Sequence, residues 1–153
     1  MASIERLVAE QPFFEGIDAA HLRVIADCAT EVSFEAGRYI FRVGDESAHF
    51  YTIAKGKVSV EIMVPGEGAI PLQCVGPGEV LGWSWLVPPH TKQFDARVIE
   101  DTQALMFDAR CLRTKCEQDQ KLGFELMRRT ARVLGQRLQA ARFQLLDVYG
   151  VPR

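Results

Sequence analysis

Glycines punctuate the middle of this chain at short intervals, and their spacing constrains the fold more than any other feature of the sequence. Between residues 31 and 108, runs rich in valine, isoleucine, phenylalanine and tyrosine alternate with glycines at Gly37, Gly44, Gly56, Gly66, Gly68, Gly76, Gly78 and Gly82. Such runs predict β-strands, and the glycines predict turns. Seven strands are therefore predicted in a closed roll or sandwich, at VSF, YIF, HFYTIA, KVSVEIMV, IPLQCV, FDARVI and QALMF.

Helical patterns flank these strands. A first helix around residues 4–9 is predicted to stop at Pro12, and a second begins at Asp18, a residue type that caps helix N-termini. After Asp108 the pattern is helical to the end of the chain. The sequence thus predicts an α+β fold in a single domain over 1–153, with N-terminal helices in 1–30, a jelly-roll-like double-stranded β-helix roll in 31–108 and C-terminal helices in 109–149.

The C-terminal segment carries a heptad pattern. Apolar residues spaced alternately four and three apart form an a/d seam at Met127, Ala131, Leu134, Leu138, Ala141, Leu145 and Val148. One helix cannot bury such a seam alone, and a helix of about 25 residues, on the order of 38 Å long, exceeds a small roll. We expect it to pair with the same helix of a second chain in a parallel homodimer; the alternative is that it lies along the roll.

Charge is unevenly distributed along the chain. Residues 1–120 hold 11 Lys and Arg against 18 Asp and Glu, a net charge of −7, whereas residues 121–149 hold 6 against 2, a net charge of +4. A basic helix can attract nucleic acid, a membrane or a phosphate-bearing ligand, or it can pair with its own acidic body. Because no apolar run is long enough to span a bilayer and the N-terminus has acidic residues where a signal peptide carries basic ones, we expect a cytoplasmic protein without a membrane partner.

Several segments together resemble the cyclic-nucleotide-binding domain of the catabolite activator and kinase regulatory-subunit superfamily. They are FEAGRYIFRVGD at 34–45, FYTIAKGKVSV at 50–60, GEVLG at 78–82 and the long C-terminal helix. The resemblance spans residues 10–149. It implies a roll that holds a cyclic nucleotide and a long helix that both covers the ligand and forms the dimer, and hence a ligand sensor in signal transduction.

Relatives in that superfamily often carry a helix-turn-helix domain after the long helix. Here VYGVPR follows at 148–153, so we expect no direct DNA binding and an output through a downstream protein partner.

The resemblance also exposes a departure within residues 78–97. In the family, a Gly-Glu pair begins a short helix, and an Arg-(Ser/Ala/Thr) pair about ten residues later binds the phosphate, while the glutamate accepts from the ribose. Here Gly82 is retained, Trp83 takes the glutamate position, and the arginine position falls on Gln93 or Phe94. The loss of two charge-assisted hydrogen bonds is expected to weaken a family-type ligand by about two to four decades.

Candidate ligand contacts follow from that comparison. Ser84, Gln93 and backbone N–H groups near the tryptophans are available to an anion, and two arginines of the covering helix can reach inward. The predicted set is Gly82, Trp83, Ser84, Trp85, Gln93, Phe94, Asp95, Arg137 and Arg142, for a cyclic nucleotide or another small flat or anionic ligand. Trp83 and Trp85 have two interpretations: they contact a flat ligand, or they fill the pocket and exclude one.

Three classes of function stay open at this point. The first is a regulatory ligand-binding homodimer, and the second is a ligand-free dimeric scaffold or protein-interaction module. The third is a metalloenzyme on a similar roll of the cupin type, which needs clustered histidine and carboxylate ligands. Because His21, His49 and His90 are scattered and no catalytic motif is present, we expect no enzyme activity, no cofactor and no metal.

The cysteines do not form a dense framework. Cys28, Cys74, Cys111 and Cys116 are predicted to be buried free thiols, with a metal or redox pair at Cys111 and Cys116 as the alternative.

Overall fold

Six antiparallel strands lie between short N-terminal helices and a longer C-terminal pair in the computed structural model, which describes residues 3–150. The outermost residues of the predicted domain, 1–2 and 151–153, lie outside the described residues. The helices are α1 (Ile4–Glu10), α2 (Ala19–Ala26), α3 (Ala109–Gln118) and α4 (Gln120–Val148), with a 3-10 helix at Pro12–Phe14. The strands are β1 (Ala29–Phe34), β2 (Tyr39–Phe41), β3 (His49–Val64), β4 (Gly68–Val75), β5 (Val80–Leu81) and β6 (Asp95–Asp108).

Two long strands organise the roll. β3 has 16 residues and β6 has 14, and they pair antiparallel from His49 opposite Asp108 to Glu61 opposite Asp95. β1 and β2 pair with β6, whereas β4 and β5 pair with β3. The α+β prediction and the β-roll are confirmed.

The predicted number of strands is wrong. HFYTIA and KVSVEIMV form the single strand β3, FDARVI and QALMF form the single strand β6, and the short strand β5 was not predicted. For β3 the reason lies at Gly56, which sits inside the strand with φ +109° where the pairing register shifts. A Cβ there would lie 2.6 Å from the carbonyl oxygen of Asp101, so the position requires glycine. A glycine that marks a bulge within a strand looks like a turn in the sequence.

The core has two parts. One fills the roll and includes Ile53, Val58 and Leu81. The other joins the roll to the helices and includes Phe50 and Trp85. Trp85 therefore ties the loop after β5 to the helical layer, since it packs in the part of the core that α4 also enters.

A disulfide joins Cys28 to Cys111, with Cα atoms 5.8 Å apart. The prediction of buried free thiols is therefore wrong for this pair. Cys74 and Cys116 are free, but Cys74 is exposed and Cys116 is only partly buried. The antiparallel pairing of Ala29 with Phe107 brings the start of β1 beside the end of β6, within the range that a disulfide spans. Because the two cysteines are 83 residues apart in the chain, their spacing gave no indication that they lie close together.

Helix α4 has one buried face and one open face. Asp119 caps its N-terminus by accepting from the backbone N–H of Leu122, and Leu122, Leu126 and Thr130 are buried against the domain. In the predicted seam, Leu138 is 55% and Leu145 56% exposed. In residues 3–150 no helix combines the length and apolar character needed to cross a membrane.

Candidate functional site

A cavity of about 580 Å³ lies between the roll and the C-terminal half of α4. We call it the α4 cavity. β2, β3, β4, β5, the segment 82–94 and α4 all contribute to its wall. It is lined by Phe41, Val60, Leu72, Gln73, Cys74, Leu81, Gly82, Trp83, Ser84, Lys92, Gln93, Phe94, Leu134, Arg137, Leu138, Ala140, Ala141 and Gln144.

Lys92 places a buried ammonium group in this wall. Its side chain is only 4% exposed, and its Nζ donates to the carbonyl oxygen of His49 at 2.7 Å and lies 4.3 Å from the ring centroid of Phe41. Burial lowers its pKa to about 8, although the charge of Asp45 acts in the opposite direction. An ammonium has three N–H donors. Among the contacts that the structure describes, one of them is used, so two remain for an acceptor in the cavity.

Gly82 makes room for this ammonium. The glycine has φ +92°, and a Cβ built on it would lie 2.9 Å from Lys92 Nζ. The retained glycine therefore serves two purposes, because it permits the left-handed backbone and lets the lysine reach the cavity beside the backbone of β5.

Arg137 supplies a second cation from α4. Its guanidinium donates to the carbonyl oxygen of Val80, while its Nε is buried without an acceptor in the described structure. Burial lowers its pKa, and the charge of Glu79 opposes that effect. Lys92 and Arg137 thus approach the same short segment, residues 80–82, from the roll and from the helix.

The residues that line the α4 cavity carry a net positive charge. Among the described residues, the lining contains Lys92 and Arg137 and no aspartate or glutamate. Two other cavities differ in this respect. One, of about 670 Å³, has Glu46 and Asp108 among its lining residues, and another, of about 420 Å³, has Glu79.

Six of the nine predicted contact residues line the α4 cavity, namely Gly82, Trp83, Ser84, Gln93, Phe94 and Arg137. The other three do not line it. Trp85 is 1% exposed and stacks on Phe50 with ring centroids 4.6 Å apart. Asp95 is buried and accepts from the backbone N–H of Val43 at 2.8 Å, and Arg142 is exposed on α4.

The two tryptophans therefore have different places. Trp83 is half-buried in the cavity wall, whereas Trp85 belongs to the core behind it. In segment 82–94 the backbone forms turns instead of a helix, and Ser84 donates its hydroxyl to Ser47 at 2.9 Å. No helix N-terminus is available there to an anion, so side-chain cations carry the positive charge of the site.

Sequence reasoning missed Lys92. We placed the family's arginine position on Gln93 or Phe94 and concluded that the segment had lost its charge. One residue earlier in the chain stands a lysine, and the structure puts its ammonium in the wall. Aligning the family's arginine position one residue earlier in the chain would have placed it on Lys92.

The predicted seam meets the α4 cavity in its middle. Leu134, Leu138 and Ala141 line the cavity, whereas Met127, Leu145 and Val148 are exposed and do not line it. Phe124 is 67% exposed and lies seven residues before Ala131, so it extends the open apolar stripe by one position that the sequence analysis did not include.

Comparisons with known proteins agree on one family. Residues 31–119 match the model of the cyclic nucleotide-binding domain. The chain is 28% identical over 98 residues to the cGMP-dependent protein kinase, isozyme 1, of Drosophila melanogaster, an alignment that covers 64% of this chain and 12% of the kinase.

Solved structures give the same result. A putative cyclic nucleotide-binding protein from Geobacter metallireducens superposes with a TM-score of 0.79 at 28% identity, covering 90% of this chain and 99% of that one. The Thermus thermophilus catabolite activator protein superposes with a TM-score of 0.72 at 24% identity, covering 92% of this chain and 63% of that one, a likeness of fold.

Proposed function

This chain belongs to the cyclic nucleotide-binding domain family, and on that premise we propose that it is a regulatory module whose α4 cavity binds a small organic anion. The observation that carries the proposal is the buried ammonium of Lys92, which faces a cavity whose described lining holds no carboxylate. Burying a cation is unfavourable, and the charge of Asp45 offsets only part of that cost for Lys92. An anion in the cavity would offset more of it.

The proposed output is a change in a homodimer formed through α4. A stripe that leaves Leu138 and Leu145 more than half exposed favours pairing with a second copy, because a heptad seam buries its apolar side chains only against a partner. Since Leu134, Leu138 and Ala141 line the cavity as well, an occupied cavity would alter the surface that the partner helix meets. We propose that the signal passes to a partner protein without catalysis and without direct contact to DNA.

A ligand-free scaffold is the second candidate. The core position of Trp85 favours it, since one of the two indoles already serves packing. The open volume of about 580 Å³ beside Trp83 favours a ligand, because binding pockets for small molecules typically have volumes of about 300–1,000 Å³.

Tryptophan fluorescence distinguishes these two functions. In Trp85→Phe, Trp83 is the only indole, and we expect its emission to change saturably when cyclic AMP, cyclic GMP or benzenesulfonate is added at pH 7, because each anion enters beside it. Trp83→Phe is the matched control, in which the buried Trp85 should respond weakly. Absence of a response to all three anions at concentrations up to about 10 mM would favour the scaffold. Such a result would mean that the binding free energy is no more favourable than about −3 kcal/mol.

Sedimentation velocity tests the dimer. Leu145→Asp places a charge in the exposed seam and outside the cavity lining, so we expect the sedimenting mass to fall from dimer to monomer. Gln139→Asp adds the same charge at an exposed position of α4 outside the seam and should remain dimeric. A monomeric wild type, or a Leu145→Asp variant of unchanged dimeric mass, rejects the seam as the interface.

A further inference from the structure

The walls of the α4 cavity are mostly apolar. Phe41, Phe94 and Trp83 contribute aromatic rings, and the aliphatic side chains come from the roll and from α4, namely Val60, Leu72, Leu81, Leu134 and Leu138. A ligand that fills this space therefore gains most of its contact area from an apolar body.

Three neutral polar side chains of the wall donate hydrogen bonds within the protein. Ser84 is hydrogen-bonded to Ser47, Gln93 donates through Nε2 to the carbonyl oxygen of Thr91, and Gln144 donates to that of Leu72 at 3.2 Å. Because the described lining holds no carboxylate, only neutral amide and hydroxyl oxygens remain to accept from the hydroxyl groups of a sugar. A hydrogen bond to a neutral acceptor is about half as strong as one to an ionised acceptor.

The two cations lie against one short segment. Lys92 Nζ sits beside Gly82, and Arg137 donates to the carbonyl oxygen of Val80. Both keep unused donors in the described structure, since Lys92 has one hydrogen-bond acceptor and Arg137 Nε has none. The anionic group of a ligand is therefore expected near residues 80–82, with the rest of the molecule along the apolar walls.

We infer that the ligand of the α4 cavity is an organic anion with one charged group and a flat apolar body, of the aromatic carboxylate class, and that the cavity disfavours ribonucleotides. The inference rests on the proposed function, because it specifies what the same cavity binds. Charge-assisted hydrogen bonds from Lys92 and Arg137 hold the carboxylate, and the aromatic side chains contact the ring system.

Isothermal titration calorimetry on the full chain tests this class with a matched series. The probes are 2-naphthoate, its neutral amide 2-naphthamide, cyclic AMP and inorganic phosphate, all at pH 7. We expect 2-naphthoate to bind at least about tenfold more tightly than 2-naphthamide, which lacks the charge, and than phosphate, which lacks the apolar body. We also expect it to bind more tightly than cyclic AMP.

Each other result has a distinct meaning. Cyclic AMP binding more tightly than 2-naphthoate overturns the ligand class and leaves the proposed function standing. Equal binding of the acid and the amide also overturns the class, since charge would then play no part. Failure of every probe to bind overturns both the inference and the anion-binding function.

Discussion

Replacing Trp85 with alanine is expected to lower the free energy of unfolding by about 3–5 kcal/mol, the range for large-to-small changes of buried aromatic residues. Trp85 is 1% exposed. Its indole stacks on Phe50 at 4.6 Å between ring centroids, and Phe50 stacks on Phe107 at 4.7 Å. The alanine would leave a cavity at the end of this three-ring stack, where the roll meets the helical layer.

Trp83→Ala is the matched control for that variant. Trp83 is half-buried in a wall that already faces open space, so its removal should cost only about 1 kcal/mol. Urea unfolding followed by far-ultraviolet circular dichroism measures both variants without depending on indole emission. Equal losses in the two variants would contradict the division between one core indole and one cavity indole.

Lys92→Met is expected to stabilise the protein and to abolish most of its anion binding. Below pH 8 the lysine is charged in both states, and the folded state bears the full cost of burying the charge. Between its folded pKa of about 8 and its ordinary value of 10.5, the unfolded chain holds a proton that the folded chain has lost, so stability rises with pH across this window. Above pH 10.5 that cost is absent.

The size of the effect follows from that pKa difference. It corresponds to about 3 kcal/mol of destabilisation at pH 7, of which the lost hydrogen bond to the carbonyl oxygen of His49 offsets part, so we expect Lys92→Met to gain about 1–2 kcal/mol. The charge of Asp45 acts on Lys92, and the guanidinium of Arg137 lines the same cavity. Benzenesulfonate affinity should fall by about tenfold to a hundredfold in the same variant.

An exposed lysine provides the comparison. Lys55 lies on the surface of β3, and Lys55→Met should change neither stability nor anion affinity by more than about twofold. A Lys92→Met variant that is destabilised at pH 7 and binds the anion as wild type does would show that Lys92 serves only the structure.

The fold was predictable because its signals are local. Strand periodicity, the Asp18 cap and the heptad spacing all act within a few residues, and each corresponds to an element of the structure. The prediction of two strands in place of β3 failed at Gly56, since a bulge and a turn use the same residue. The Cys28–Cys111 pair was not predictable, because only the pairing of β1 with β6 brings distant residues together.

The sequence comparison brought together residues that share one cavity, but it did not identify the charged group of the cavity wall. Gly82, Trp83 and Arg137 all line the α4 cavity. Lys92 was overlooked because an insertion or deletion of one residue cannot be located without coordinates. Trp85 and Trp83 could not be distinguished by spacing, since segment 82–94 is irregular and alternation along it has no fixed period.

The titration of Lys92 is the most direct test of anion binding in the α4 cavity. Lysine labelled with carbon-13 at Cε reports the protonation of each side chain by nuclear magnetic resonance, and Lys92→Met identifies the resonance. We predict a pKa near 8 in the free protein and a rise of about one pH unit or more with saturating benzenesulfonate, because a bound anion favours the charged ammonium. A pKa near 10.5 that the anion does not move would contradict the claim that the α4 cavity is an anion site.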